Sequence, residues 1–487
     1  EQMSQKVALM GGSTKAEHGT GRMVAPFVEL EWGKKAYQIN LKIKEIFDPQ
    51  GLLNPDVIIT KDKDIYKKNL KSAPKNLLSL PENDEMINTC MECGFCEKFC
   101  PSKDLTLTPR QRIAVLREAT RLLENGEKSK ANELLKEYGY AGDETCAGCS
   151  GCFRLCPLGI DTAKVASELR QKISANSQKM AQKIYDNFEK TLSLAKGGLK
   201  FYAFSSALLG EKNVSKITSF LHGLNSNLPF TPPFMPSANS YKLTNKGEDL
   251  EEKVVYFTAC MNRVFAPSKK QDDKRAVQEA FESICAKASV GVIYPEKISK
   301  MCCGKMFEDY ESIRAQNLAF LENELNATTK GGKYAVVIEH SSCFYSLLKD
   351  FKDKFKILDI SEFLLSIADK LAWQKSKKTL LVHKLCLLKK LGKDGALYEL
   401  ARLCSDEVRL IQSFECCGFA GKKGFFTPEL NQSSTKNLNA ETNENFIGVS
   451  TSSTCEIGLN AYGNTKFQNI IYLVDSLTSK IHQKGKI

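Results

Sequence analysis

Two cysteine runs of identical spacing constrain this chain more than anything else in it: Cys90-x2-Cys93-x2-Cys96-x3-Cys100-Pro101 and Cys146-x2-Cys149-x2-Cys152-x3-Cys156-Pro157. Three thiols set two residues apart can wrap a tight loop round one iron–sulfur cube, after which the chain turns at proline and leaves. In this spacing the fourth cysteine of each run serves the other cube. One [4Fe–4S] cluster is therefore assigned to Cys90, Cys93, Cys96 and Cys156, and the other to Cys146, Cys149, Cys152 and Cys100. Zinc also takes Cys-x2-Cys pairs, but four ligands satisfy it, leaving the third closely spaced cysteine and the Cys-Pro step without a purpose. Between the runs, Thr108 and Gln111 form a capping-box pattern with Pro109 at the first helical position. Ile113, Leu116, Leu122 and Leu123 then follow a helical stripe. The expected unit is a helical dicluster module of the ferredoxin type. Phe153 and Leu155 either shield a cluster or belong to ordinary core.

The chain has 18 cysteines, and they are grouped rather than scattered, which points to metal ligation in a reducing compartment and away from disulfides. The remaining groups reveal a duplication. Cys260, Cys302-Cys303-Gly304 and Cys343 are echoed by Cys386, Cys416-Cys417-Gly418 and Cys455. Each group follows a strand-like run: Lys253–Thr258, Val290–Tyr294 and Tyr334–Glu339 in the first copy, and Thr379–Val382, Val408–Phe414 and Asn445–Ser450 in the second. Helix-like stretches such as Asp273–Ala288 and Tyr310–Asn326 lie between them, so a parallel sheet is expected in each copy. In such sheets ligands gather at the carboxyl ends of the strands, where these loops would meet. A cubane, a non-cubane cluster, zinc or a redox-active thiol set all remain open there. Cys285 and Cys404 fall outside the pattern and read as core. His340 and His383 lie near the cysteine loops as packing residues or as further ligands.

With 487 residues the chain can form several cores, and a hydrophobic content of 42% with 26% charged residues is that of an ordinary globular protein. No apolar run approaches the roughly 18–20 residues of a membrane-spanning helix. The formal net charge of +12 favours acidic partners. The lysines are scattered without interleaved aromatics, so nucleic acid is excluded and a negatively charged membrane face is preferred. The first residue is Glu1 and no secretory signal is present, so the expectation is a cytoplasmic segment of a longer protein, peripheral on the inner membrane.

The repeats resemble the cysteine-rich CCG domains of the iron–sulfur subunits of glycolate oxidase, anaerobic glycerol-3-phosphate dehydrogenase and heterodisulfide reductase. That family often closes each repeat with Cys-x2-Cys, whereas here the partner positions are Ser346 and Gly458. The second copy, "ECCGFAGKKGFFTPEL" with "STSSTCEIGLN", is similar to the fused D-lactate dehydrogenases. "GGSTKAEHGTGR" (Gly11–Arg22) and "IKEIFDPQGLLNPDVII" (Ile43–Ile59) resemble the end of the FAD-linked oxidase C-terminal domain. The order of the parts resembles that of the fused FAD and iron–sulfur D-lactate dehydrogenases. The resemblance implies that Glu17 ligates a divalent metal beside the flavin and that His18 is the base taking the hydroxyl proton. Arg22 would pair with a substrate carboxylate or with a neighbouring loop. Most flavin contacts would lie in an upstream FAD-binding domain, with which this chain would be partnered.

The expected organisation is multidomain, α/β and α. Residues 1–60 form a short remnant of an α+β FAD-linked oxidase C-terminal domain, 61–85 a linker, and 86–175 the dicluster module. Residues 176–250 form a helical linker, and 251–370 and 376–480 the two CCG repeats. The segment Asp161–Leu194 is long and amphipathic, so helical. Gly197–Gly210, "GGLKFYAFSSALLG", reads either as a cover for the repeats or as a membrane-surface segment reaching quinone. The expected function is electron transfer from FAD, reduced by D-lactate, through two [4Fe–4S] clusters and towards the repeats, where a further cluster is open, to a quinone or cytochrome. Glycolate or D-2-hydroxyglutarate as substrate, a substrate-free electron-transfer subunit, and heterodisulfide-type chemistry are the alternatives.

Overall fold

The computed structural model describes residues 1–14, 21–68, 84–173 and 177–481. The chain divides into two compact units, Glu1–Ala73 and Pro74–Ile487. In the first, helix Gln2–Leu9 is followed by helix Val28–Phe47, which is kinked at Gly33 where φ is +76°. Asp48 ends the second helix by accepting the backbone N–H groups of Leu52 and Leu53, each at 2.8 Å, and pairing with Lys44. Among the described residues this unit contains no strand, so the α+β character expected of the parent domain is not carried by these residues. The first residues of the expected linker are folded with it: Tyr66 packs on Phe27 with ring centroids 5.5 Å apart.

The second unit contains the duplication. The strands of the first repeat are β1 (Lys253–Tyr256), β2 (Gly291–Ile293), β3 (Ala335–Ile338) and β4 (Ile357–Asp359), followed by an outlying β5 (Leu371–Trp373). Those of the second are β6 (Leu380–Val382), β7 (Val408–Leu410), β8 (Ile447–Ser450) and β9 (Lys466–Asn469), followed by β10 (Thr478–Lys480). Each repeat forms a four-stranded sheet in which every pairing is parallel, in the orders β2-β1-β3-β4 and β7-β6-β8-β9. The inner strands are mostly apolar, and Val255, Val336 and Val337 have no exposed surface, as expected of parallel strands buried on both faces. β5 and β10 pair antiparallel, and helix Val277–Lys287 of the first repeat packs on helix Ile470–Leu477 of the second. Asp475 there receives Arg275 at 2.7 Å and Lys287 at 2.5 Å, and one hydrophobic core runs through both repeats.

The strands are shorter than the sequence pattern indicates. The run Val408–Phe414 pairs only as far as Leu410, and then leaves the sheet to set Cys416. The stretch Asp161–Leu194 is helical as expected, carrying helices Thr162–Ile173, Ser177–Asp186 and the start of Phe188–Leu209. The helix breaks at Asn187 (φ −118°, ψ 35°), and Phe188 beyond it is buried against Phe307 in a cluster with Cys302. A helix Glu211–Leu224 follows. Among the described residues no helix is long and apolar enough to cross a membrane.

Candidate functional site

The capping box of Thr108 and Gln111 forms as the sequence indicates and starts helix Pro109–Glu124. Both cysteine loops lie against this helix and have the same backbone device. Glu92 and Gly94 flank Cys93, Gly148 and Ser150 flank Cys149, and all four take positive φ, at +61°, +82°, +63° and +54°. The left-handed residues curl each loop so that its thiols face inward. Cys90, Cys93, Cys96 and Cys156 line one cavity together with Met91, Ile113 and Ile160, and Cys152 also borders it. Cys100, Cys146, Cys149 and Cys152 line the other with Phe99 and Leu155, and Cys96 also borders it. The fourth cysteine of each run thus lies with the first three of the other. Leu155 borders the second cavity, whereas Phe153 is 42% exposed and is not core.

All the cysteines are free thiols. Burial pushes Cys96 up to about 11, and raises Cys100 and Cys152 above the ordinary thiol range. Two converging sets of four free thiols fit a cationic metal centre, which would stabilise as thiolates the three whose ionisation burial disfavours in the protein alone. Two buried arginines support the loops. Arg112 donates to Gly142 O at 2.6 Å, Ser102 Oγ at 2.9 Å and Cys100 Sγ at 3.7 Å. Arg117 donates to Ile87 O at 2.8 Å and Cys90 O at 3.3 Å, and pairs with Glu92 at 2.8 Å. Sequence reading passed over both, although their position beside Ile113 and Leu116 on the apolar side of the helix was the available signal.

Each repeat gathers its four cysteines at the carboxyl ends of its strands. Cys260 opens helix Cys260–Val264 after β1, Cys302 and Cys303 follow β2, and Cys343 lies in helix Ser341–Phe351 after β3. Cys302 contacts Cys260 and Cys303, and Cys303 contacts Cys343. In the second repeat Cys386 opens helix Cys386–Leu391, Cys416 contacts Cys386 and Cys417, and Cys417 contacts Cys455. In both, the second cysteine of the adjacent pair is held well below the ordinary thiol range, because its neighbours hydrogen-bond to its sulfur. His383, Cys417 and Cys455 present ligand atoms all within 4.8 Å of one another. His383 Nδ1 lies 3.3 Å from Ser450 Oγ, and its buried Nε2 has no hydrogen-bond partner. Burial pushes His340 down to about 4, and its Nε2 lies 3.3 Å from Ser452 Oγ, which links the two repeats at their cysteine ends. Cys285 and Cys404 are fully buried core, as expected.

The glycine after each cysteine pair is left-handed, with φ of +88° at Gly304 and +76° at Gly418. A Cβ on Gly418 would stand 2.6 Å from Leu430 O. The positions without the family's closing cysteine have clear local roles. Ser346 Oγ donates to Cys303 O at 2.7 Å, while a Cβ on Gly458 would lie 2.8 Å from the Asn431 amide, which itself donates to Cys417 O.

The dicluster module docks on the second repeat, which no local sequence signal indicated. Cys149 contacts Cys416, and that hydrogen bond holds Cys149 below the ordinary thiol range. Around this contact Glu415 receives Arg154 at 2.7 Å and Lys389 at 2.8 Å. Lys390 donates to Ser150 Oγ at 2.8 Å and pairs with Asp161 at 3.2 Å, and Lys436 pairs with Asp104 at 2.7 Å. In the first unit, Arg22 donates to Pro55 O at 3.2 Å, which is the neighbouring-loop role. Glu17 and His18 lie outside the described residues.

The cysteine sets and two family matches give this chain a 4Fe–4S dicluster domain and an FAD-linked oxidase C-terminal segment. Residues 89–160 match the family described as 4Fe-4S dicluster domain, and residues 1–58 match FAD linked oxidases, C-terminal domain. The chain is similar to the probable glycolate oxidase iron-sulfur subunit of Bacillus subtilis (strain 168), at 20% identity over 342 residues, covering 62% of this chain and 72% of that protein. It is also 36% identical over 58 residues to glycolate oxidase subunit GlcD of Bacillus subtilis (strain 168), covering 12% of each chain. No solved structure matches.

Proposed function

We propose that this chain is the iron–sulfur electron-transfer part of a flavin-dependent D-2-hydroxy acid dehydrogenase, with D-lactate as substrate and a quinone or cytochrome as acceptor. The observation that carries the reading is the pair of cysteine-lined cavities of the dicluster domain in a chain that also has the oxidase segment. Cys90, Cys93, Cys96 and Cys156 hold one [4Fe–4S] cluster, and Cys100, Cys146, Cys149 and Cys152 the other. A bound cluster supplies one-electron chemistry, which complements a flavin able to take two electrons and release them singly. The chain's own residues place the thiols, keep buried guanidinium groups beside them and exclude water with Ile113, Ile160, Phe99 and Leu155. The repeats are CCG domains, with Cys260, Cys302, Cys303 and Cys343, and Cys386, Cys416, Cys417 and Cys455, as candidate ligands of further metal or cluster.

An FAD-binding partner is supported by the first unit, where Ile46, Phe47, Leu52 and Leu53 are 62–79% exposed, more apolar surface than such a short segment sustains alone. The rest of an oxidase domain would cover it, with Glu17 on a divalent metal and His18 as base. A second reading, glycolate as substrate, is favoured by the names of the two relatives. The test is anaerobic reconstitution with iron and sulfide, iron counting and EPR of the reduced chain, then turnover of D-lactate and glycolate after pairing with a flavin-binding partner. Well-folded chain that holds no iron would refute the electron-transfer reading. Iron without turnover of either acid would leave only an electron-transfer subunit.

A further inference from the structure

The helical hairpin formed by Phe188–Leu209 and Glu211–Leu224 has two opposite faces. Its inner face is buried: Leu199, Tyr202 and Val214 join Val264 and Phe265 of the first repeat. Lys269 lies over the Tyr202 ring at 4.9 Å and pairs with Glu211 at 2.9 Å. The outer face is large, apolar and exposed. Leu194 is 77% exposed, Phe201 72%, Phe204 69% and Leu208 74%, and on the second helix Phe220 is 68% and Leu224 71% exposed. Ile217, Phe220, Leu221 and Leu224 follow the i, i+3, i+4, i+7 spacing of one helical face. Leu194, Phe201, Phe204 and Leu208 fall within one arc of the first helix.

Monomeric globular proteins rarely expose apolar side chains in such a contiguous set. The charges state what covers it. Lys190, Lys200, Lys212 and Lys216 are exposed on the hairpin, and Lys200 and Lys216 directly precede Phe201 and Ile217, at the border of each apolar stripe. The acids of the same span are Glu189 and Glu211, the latter occupied by Lys269. An apolar stripe bordered by lysines, on helices too polar to span a bilayer, is the pattern of an element lying in a lipid interface. Lysine stems run along the apolar surface while their ammonium groups reach phosphate.

We infer that this hairpin docks the protein on an anionic lipid bilayer, with Phe201, Phe204, Leu208, Phe220 and Leu224 entering the headgroup boundary. The inference goes beyond the electron-transfer reading and does not depend on it. The test is co-sedimentation of the full chain with phosphatidylcholine vesicles, with and without phosphatidylglycerol. The wild type should pellet with the anionic vesicles. The triple variant Phe201→Ser, Phe204→Ser, Leu208→Ser should bind about tenfold more weakly or worse, given the apolar surface removed. Lys200→Glu with Lys216→Glu should lose the preference for phosphatidylglycerol. All these side chains point outward, so far-UV circular dichroism should be unchanged. A Phe204→Trp variant gives an independent local readout, and its emission should shift to the blue on anionic vesicles. Wild type remaining in the supernatant, or the serine variant binding as well as wild type, would overturn the inference and assign the face to a protein partner.

Discussion

Replacing Arg112 with Gln removes a buried positive charge beside one cluster set and leaves the other set untouched. Arg112 Nη1 lies 3.7 Å from Cys100 Sγ, and Arg112 is 2% exposed, so solvent does little to screen it. Two unit charges about 4 Å apart interact by roughly 4 kcal/mol at an effective dielectric constant near 20. For a one-electron couple about 1.4 kcal/mol corresponds to roughly 59 mV, which sets a ceiling of about 170 mV. The added electron is shared over a whole cluster and its thiolates, so the expected fall in potential is on the order of 100 mV. The sign is negative because losing the cation makes reduction harder. The assay is an EPR-monitored redox titration of reconstituted protein. One signal should move and the other should stay, while Arg112→Lys, which keeps the charge but loses the fork, should retain most of the potential. Arg117→Gln should move the other signal, since Arg117 braces the Cys90 loop. Equal shifts of both signals, or shifts of neither beyond about 20 mV, would refute the electrostatic argument.

Three further outcomes follow from particular contacts. Cys156→Ala should eliminate the same EPR signal as Cys90→Ala, and Cys100→Ala the same one as Cys146→Ala; losses that follow each run separately would contradict the crossed assignment. Gly418→Ala combines a left-handed backbone with a Cβ 2.6 Å from Leu430 O, and should cost about 3–5 kcal/mol in urea titrations. Gly392→Ala, at φ +67° with nothing within 4 Å, should cost only about 1–2 kcal/mol, and comparable losses would show that the close approach is unimportant. Burial raises Asp359 to about 7, and its Oδ2 has no hydrogen-bond partner. The folded protein therefore holds a proton there that the unfolded chain releases near pH 4, so this contribution to stability is full below about pH 4 and is lost as pH rises towards about 7. Asp359→Asn should flatten that part of the melting-temperature profile, measured as the difference from wild type; parallel profiles would count against it.

The cysteine frame was legible because spacing within a short loop decides which thiols can reach a common centre. The parallel sheets were legible through apolar runs ending in cysteine loops. β4, β5, β9 and β10 went unread, since unlike the other strands they lead into no cysteine loop. Arg112 and Arg117 escaped because a charged residue in a helix ordinarily faces water. The contact between Cys149 and Cys416 joins residues far apart in the chain, so no window of sequence contains it. The helical character of Asp161–Leu194 was legible, but the break at Asn187 was not, since it accompanies a tertiary contact, the burial of Phe188 beneath Phe307.

The two repeats share strand order, cysteine pattern and left-handed glycine, yet they meet different neighbours, and one residue accounts for much of the difference. The residue before the cysteine pair is Met301 in the first copy and Glu415 in the second. Met301 is fully buried, and the helices around Ala181 and Phe188 seal the adjoining Cys302 and Phe307. A carboxylate would be costly in such a setting without a partner. Glu415 is only partly buried, and it has two partners, Arg154 of the dicluster module and Lys389 of its own repeat. Burial works against its ionisation, but these two cations hold it below the usual carboxylate range. The ion pairs border the meeting of Cys149 and Cys416, so the charge that would disrupt the first copy positions the second against the dicluster module. Duplication supplied two sheets of the same kind, and Glu415, where the first copy has Met301, gives the second copy an ion pair to the dicluster module beside its cysteine pair.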